Sequence, residues 1–172
     1  RPELLSRCLF LKDGPLAIRA QYSKLVQPIR RFLKFARAAG VDVCIVGQEK
    51  KGAFVDHLAL IGGSAPAQSV FLPDHEYVRE RIQYRPVSTH PYGKDTNYGA
   101  KVFVSINERH RMVLSIPTGD YVEDPQLADL IGVADVFATL PTLLSSRFES
   151  ALFPIELANN IASLSTYPSA QV

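Results

Sequence analysis

Apolar residues recur along this chain in three rhythms, and each rhythm predicts an element. Continuous apolar runs at Arg7–Leu11 and Val41–Val46 read as buried strands. Between them, "YSKLVQPIRRFLKFARAAG" has helical spacing, with Leu25, Ile29, Phe32, Leu33 and Ala36 on one apolar stripe. Pro28 is expected to kink this helix or begin its regular part, and Gly40 is a natural C-terminal cap. Strand, helix and strand in such close succession form a crossover unit, so the sheet is expected to have parallel character.

Alternation comes later. Val102, Val104 and Ile106 alternate before the turn Asn107–Arg109, and Met112, Leu114 and Ile116 alternate after it. That is an antiparallel hairpin, so the sheet should be mixed and the fold class α/β. "FVDHLALIGG" is expected to be a short helix ending at Gly62–Gly63. "LPDHEYVRERIQYRP" is expected to be another, begun by Pro73 and Asp74. "SAPAQSV" and "STHPYGKDTNYG" read as loops, the second as an ordered loop or flap. From Pro125 onward the pattern is helical.

Composition narrows the class. The 172 residues suffice for one good core, and 47% apolar with 21% charged residues is an ordinary globular balance. A net charge of +2 confines any nucleic-acid contact to a local patch. Cys8 and Cys44 each sit in an apolar run, which favours two buried free thiols, a reducing compartment and a cytoplasmic location. No apolar stretch is long enough to span a bilayer, so no membrane partner is expected. Arg1 leads almost at once into a strand, which suggests a piece of a longer protein.

The candidate chemistry starts at "LFLKDGPL". Asp13 ends the first strand just before Gly14 turns the chain away. A strand end fixes a carboxylate rigidly, which suits a hard divalent cation, Mg²⁺ or Mn²⁺. An ordinary Asp-Gly-Pro turn is the blander account. Glu49, Lys50 and Lys51 leave the second strand together. Glu49 is a further metal candidate, and Lys50 and Lys51 are candidate phosphate contacts at the same sheet edge. Asp13, Glu49 and Lys51 can also be read as a restriction-endonuclease-like set. The polar face of the first long helix, Lys24, Arg30, Arg31, Lys34 and Arg37, is a candidate DNA contact or simply a solvated face. Tyr98 is either a base-stacking platform or a core tyrosine. Asp56, His57, His90 and His110 are read as surface residues. The chain has no phosphate-loop, dinucleotide or nucleophile-elbow signature.

Taken in order, "LFLKDGPL", the helix with its early tyrosine, the strand leading to lysine, "VLSIPTGDY" and "FPIELANNIASLS" resemble the second half of NurA-type nucleases. The resemblance implies a ribonuclease-H-like mixed sheet flanked by helices, present here as an incomplete, C-terminal portion. It also implies Mn²⁺- or Mg²⁺-dependent DNA cleavage, a homodimer and a HerA-type hexameric ATPase as translocase partner. Asp13 would match the aspartate of the family's second Asp-Gly motif, and Lys50 or Lys51 its following lysine.

The departures matter as much. The family's first Asp-Gly motif and an intervening acid would lie upstream of Arg1. Phe153 stands in place of a tyrosine, and "LANNI" holds no histidine, so either Asn159 or Asn160 substitutes or that part of the site is lost. Two metals on one phosphate need several carboxylates. This chain alone is therefore expected not to cut DNA. The rival of another class is a non-catalytic adaptor that docks an ATPase through its apolar C-terminal helices.

Overall fold

The computed structural model describes residues 2–5, 7–84 and 92–165. Its frame is one five-stranded sheet: β1 (Leu9–Asp13), β2 (Cys44–Glu49), β3 (Ser69–Phe71), β4 (Gly99–Ser105) and β5 (Arg111–Pro117). The spatial order is β1-β2-β5-β4-β3. β1 and β2 are parallel, with Leu9 beside Cys44 and Asp13 beside Gln48, and every other pair is antiparallel. The helices are α1 (Pro2–Leu5), α2 (Val26–Ala38), α3 (Ala53–Ile61), α4 (His75–Tyr77), α5 (Val133–Thr139) and α6 (Phe153–Ser165). A π-turn at Val78–Ile82 prolongs α4, whose N-terminus is capped by the Asp74 carboxylate accepting from the Tyr77 N–H at 2.7 Å. The expected mixed α/β sheet, its parallel crossover and its hairpin are all present.

Side chains alternate across the sheet, so register decides which residues share a face. One face carries Leu9, Leu11, Cys44, Val46, Val102, Val104, Met112, Leu114 and Ile116. It builds the main core with Leu130, Val136, Leu140 and Leu152 from the C-terminal half. Full burial of each such aliphatic side chain contributes about 1.5–3 kcal/mol. On the other face, α3 and the α4 segment pack Phe54, Leu58, Val78 and Ile82 onto Phe103 and Val113. α2 packs there too, its Leu33 clustering with Val43, Ile131 and Ile45.

Several local expectations change. Both parallel strands run two to three residues further than their apolar runs, because main-chain pairing carries the polar ends Lys12-Asp13 and Gln48-Glu49 into the sheet. β1 is an edge strand and only half-buried, and Cys8 just before it is exposed rather than buried. β3 lies where a loop was expected. Leu25, just before α2, and Phe32 on it face solvent, while Val26, Arg30 and Leu33 face inward. His110 is buried, its ring placed between Asn107 Oδ1 and the Ser145 carbonyl oxygen at 3.1 and 3.0 Å. His90 and the start of the "STHPYGKDTNYG" segment lie outside the described residues.

Candidate functional site

The carboxyl ends of parallel strands are where α/β sheets commonly hold ligands, and β1 and β2 end together. β1 stops because Gly14, at φ +92°, bends the chain over its neighbour. The Gly14 N–H donates to the Gln48 carbonyl oxygen at 2.7 Å, and Lys12 Nζ closes the turn by donating to the Pro15 carbonyl oxygen at 2.6 Å. Asp13 is left on the strand end, on the same face as Gln48. There Lys50 Nζ donates to Asp13 Oδ2 at 3.0 Å, with 47% of the aspartate side chain and 35% of the lysine side chain still open to solvent.

Lys50 also borders a cleft of about 300 Å³ shared with Ser150, Glu156, Asn159 and Asn160 of the last helix and the loop before it. Buried Gln48 fastens that loop to the strand. Its Nε2 donates to the Ser150 carbonyl oxygen at 2.6 Å, and its Oε1 accepts from the Leu152 N–H at 3.1 Å. Glu156 Oε2 accepts from the Ser145 hydroxyl at 2.6 Å, and the Ser145 oxygen accepts from the N–H groups of Arg147 and Phe148. The asparagine pair of "LANNI" thus comes to the same cleft as Lys50.

Glu49 does not join them. It is one residue beyond Gln48 and so points to the opposite face. There it pairs with Lys101, a cation only 6% exposed that also donates to Ser115 Oγ at 3.4 Å and lies 5.0 Å from the Phe54 ring centroid. Burial lowers the Lys101 pKa, and the adjacent Glu49 carboxylate works against that shift. Asp13 and Glu49 are therefore not placed to grip one ion, and the Asp13–Glu49–Lys51 set is not assembled. Lys51 is exposed in the turn before α3. Among the described residues, no group of three or more His, Cys, Asp or Glu side chains is placed to hold a metal.

The basic helix face divides. Lys24 and Arg31 are exposed. Lys34 pairs with Asp120 at 2.5 Å, and Arg37 Nη1 donates to the Ala128 carbonyl oxygen at 3.2 Å with its Nε 3.7 Å from Asp42. Arg30 is corrected outright: it is buried, its Nη2 donating to the Asn97 carbonyl oxygen at 2.5 Å. In its place the outer face of α2 shows Phe32 and Phe35, the latter 74% exposed. Tyr98, only partly buried, packs against the Leu33–Val43–Ile131 cluster, and burial raises its pKa; this favours the core account of the residue over the stacking one.

Lys101, Gln48 and Ser145 are polar anchors that the sequence reading does not single out. Lys101 carried a signal, since it shares its strand's face with Phe103, but no such sign marked Gln48 or Ser145. No family model, curated protein or solved structure matches the chain.

Proposed function

We propose that this chain is the C-terminal portion of a NurA-like nuclease and contributes part of a phosphodiester-cleaving site. In this reading the β1–β2 pair belongs to a ribonuclease-H-like core. The observation that carries it is the Asp13–Lys50 pair, 3.0 Å apart and half-open at the carboxyl ends of two parallel strands, beside a cleft that also presents Asn159 and Asn160. A carboxylate in that position can take a metal, and a lysine beside it can neutralise a phosphate oxygen.

The residues present do not by themselves fit Mn²⁺ or Mg²⁺. Asp13 is a single carboxylate at the strand ends, Glu156 is engaged by Ser145, and Glu49 is on the other face. Hard cations take six or more oxygen ligands, several of them carboxylates in nucleases. No catalytic step is therefore routed through this chain alone. It is proposed to lack cleavage activity until the rest of its protein, or a second copy, completes the ligand set.

The test uses the complete open reading frame that contains this chain. With Mn²⁺ the full-length protein should degrade linear DNA, Asp13→Asn should abolish that activity, and Glu49→Gln should retain it in protein that remains folded. The reverse pattern would transfer the role to the restriction-endonuclease-like assignment and sink this one.

One observation favours the adaptor reading. Phe153, Leu157 and Ile161 form an outward apolar stripe at helical spacing on α6. Such a face suits docking to a HerA-type ATPase. If full-length protein with Mn²⁺ never degrades DNA yet co-elutes with the translocase, and Leu157→Glu with Ile161→Glu abolishes co-elution, the adaptor reading replaces the nuclease.

A further inference from the structure

Two cations are deeply buried among the described residues, and they are treated differently. Lys101 has Glu49. Arg30, only 2% exposed, forms no ion pair among the described residues. Its Nη2 donates to the Asn97 carbonyl oxygen, but Nε and Nη1 are sealed from solvent and have no acceptor among the described residues. The Tyr121 ring, centred 5.5 Å from Cζ, gives partial compensation. Asp120 and Asp95 act on Arg30 only through longer-range attraction, and Asp120 is paired with Lys34. Buried charges are normally paired, because an orphaned one forfeits its hydration without return.

Arg30 borders a cavity of about 50 Å³ with His75, Tyr92, Asn97, Lys101 and Tyr121. One water needs roughly 10–15 Å³ of such space, so the cavity has room for a small tetrahedral anion. Polar side chains of His75, Tyr92, Asn97 and Tyr121 also line it. His75 Nδ1 accepts from the Tyr92 N–H at 3.0 Å, which leaves the proton of the neutral ring on Nε2. Asp74 and Glu123 also border the cavity; Asp74 is committed to capping α4, and Glu123 is exposed.

We propose that this cavity is an oxyanion-binding site in which Arg30 supplies the charge and the ligand is of the phosphate class, free or as a monoester. The missing counterion of Arg30 is this ligand. The site lies on the face of the sheet occupied by α2, away from Asp13, and stands whether or not the nuclease reading does.

The test compares wild-type protein, Arg30→Met and Arg30→Lys, titrated with inorganic phosphate through the millimolar range at ionic strength held constant with chloride. Wild-type Tm should rise by roughly 3–6 °C once phosphate is tenfold above its dissociation constant. Arg30→Met should lose that increment, while in phosphate-free buffer it should match or exceed wild-type stability because an unpaired buried charge is gone. Arg30→Lys should keep part of the increment. Should the methionine variant fail to fold, the ¹⁵Nε resonance of Arg30 in wild-type protein must still move on phosphate addition. A static resonance, or an equal Tm rise in Arg30→Met, overturns the proposal. A 5′-phosphorylated oligonucleotide beside its unphosphorylated twin separates the sources: protection only by the phosphorylated strand identifies a monoester, and protection by inorganic phosphate alone identifies the free ion.

Discussion

A side-chain carbon placed on Gly47 would lie 2.6 Å from the carbonyl oxygen of Gly14 and 2.9 Å from the amide nitrogen of Leu16. The turn that ends β1 therefore rides directly on the bare backbone of β2. This is the physical reason a strand stops on Asp-Gly-Pro here. The Asp13 carboxylate is fixed beside Lys50 because the next three residues must cross over a glycine.

Gly47→Ala should therefore be costly at a position where the surrounding atoms are main chain and cannot rotate aside. The expected loss is about 3 kcal/mol, the upper end of ordinary overpacking, measured by urea denaturation. Gly14→Ala is the control: its Cβ meets only Lys12 Nζ, at 3.8 Å, so it pays only for a left-handed backbone, about 1–2 kcal/mol. An alanine at position 47 that leaves stability within error of wild type would show that the turn does not rest on this strand.

The Lys101–Glu49 pair yields a second expectation. Glu49→Gln leaves a buried ammonium facing an amide, and breaking such a pair costs about 3–5 kcal/mol. The double variant Glu49→Gln with Lys101→Met should recover most of that. The sign of its pH dependence follows from burial, which already lowers the Lys101 pKa against the pull of Glu49. Without Glu49 the folded-state value falls further below that of the unfolded chain. The unfolded state then binds more protons between the two values, and the stability of Glu49→Gln should rise with pH up to about 10.5. A deficit that stays constant from neutral pH to pH 10 would contradict a buried, uncompensated lysine.

The tyrosines predict the opposite slope at higher pH. Desolvation raises the pKa values of Tyr92, Tyr98 and Tyr121, the last to about 12, where nearby Glu123 adds to the shift and Arg30 opposes it. These phenols keep their protons in the fold at pH values where the unfolded chain loses them. Their stabilising effect is complete below about pH 10 and is lost as pH rises through the folded values. Denaturation midpoints should fall between pH 10 and 12, and Tyr121→Phe should flatten that fall. Titration of phenolate absorbance provides the second check, with Tyr121 among the last groups to ionise. Ionisation of every tyrosine near pH 10 in folded protein would refute it.

How much of this was legible from the chain depends on whether local pattern or pairing set each feature. The β4–β5 hairpin declared itself because Val102 and Val104, then Met112 and Leu114, recur at every second position on either side of a polar turn. The ends of β1 and β2 did not, since polar Lys12, Asp13, Gln48 and Glu49 are held by main-chain pairing that apolar runs cannot reveal. β3 is three residues long and is held in the sheet by β4 alone, so its own sequence says little. Arg30 stands at the inward i, i+4, i+7 positions with Val26 and Leu33, but a guanidinium is ordinarily solvated, so its spacing alone does not announce burial. At the site, Asp13 and Lys50 were readable as strand-end residues. That Glu49 faces away from Asp13 was not, because it depends on the parallel register, which sets Asp13 level with Gln48.

The Asp13–Lys50 pair is the last point to test by energetics, and the expectation is a weak interaction. Both side chains are substantially hydrated, and exposed pairs of this kind contribute about 0.2–1 kcal/mol in double-mutant cycles. A cycle of Asp13→Asn and Lys50→Met should give a coupling in that range, falling further as salt is raised. Neither single change should unfold the protein. This weakness is what the proposed role requires: a carboxylate held by a strong, buried partner could not turn to an incoming cation, and a committed lysine could not turn to a phosphate. A coupling of several kcal/mol that is insensitive to salt would make the pair a structural clamp and leave the cleft without its proposed chemistry.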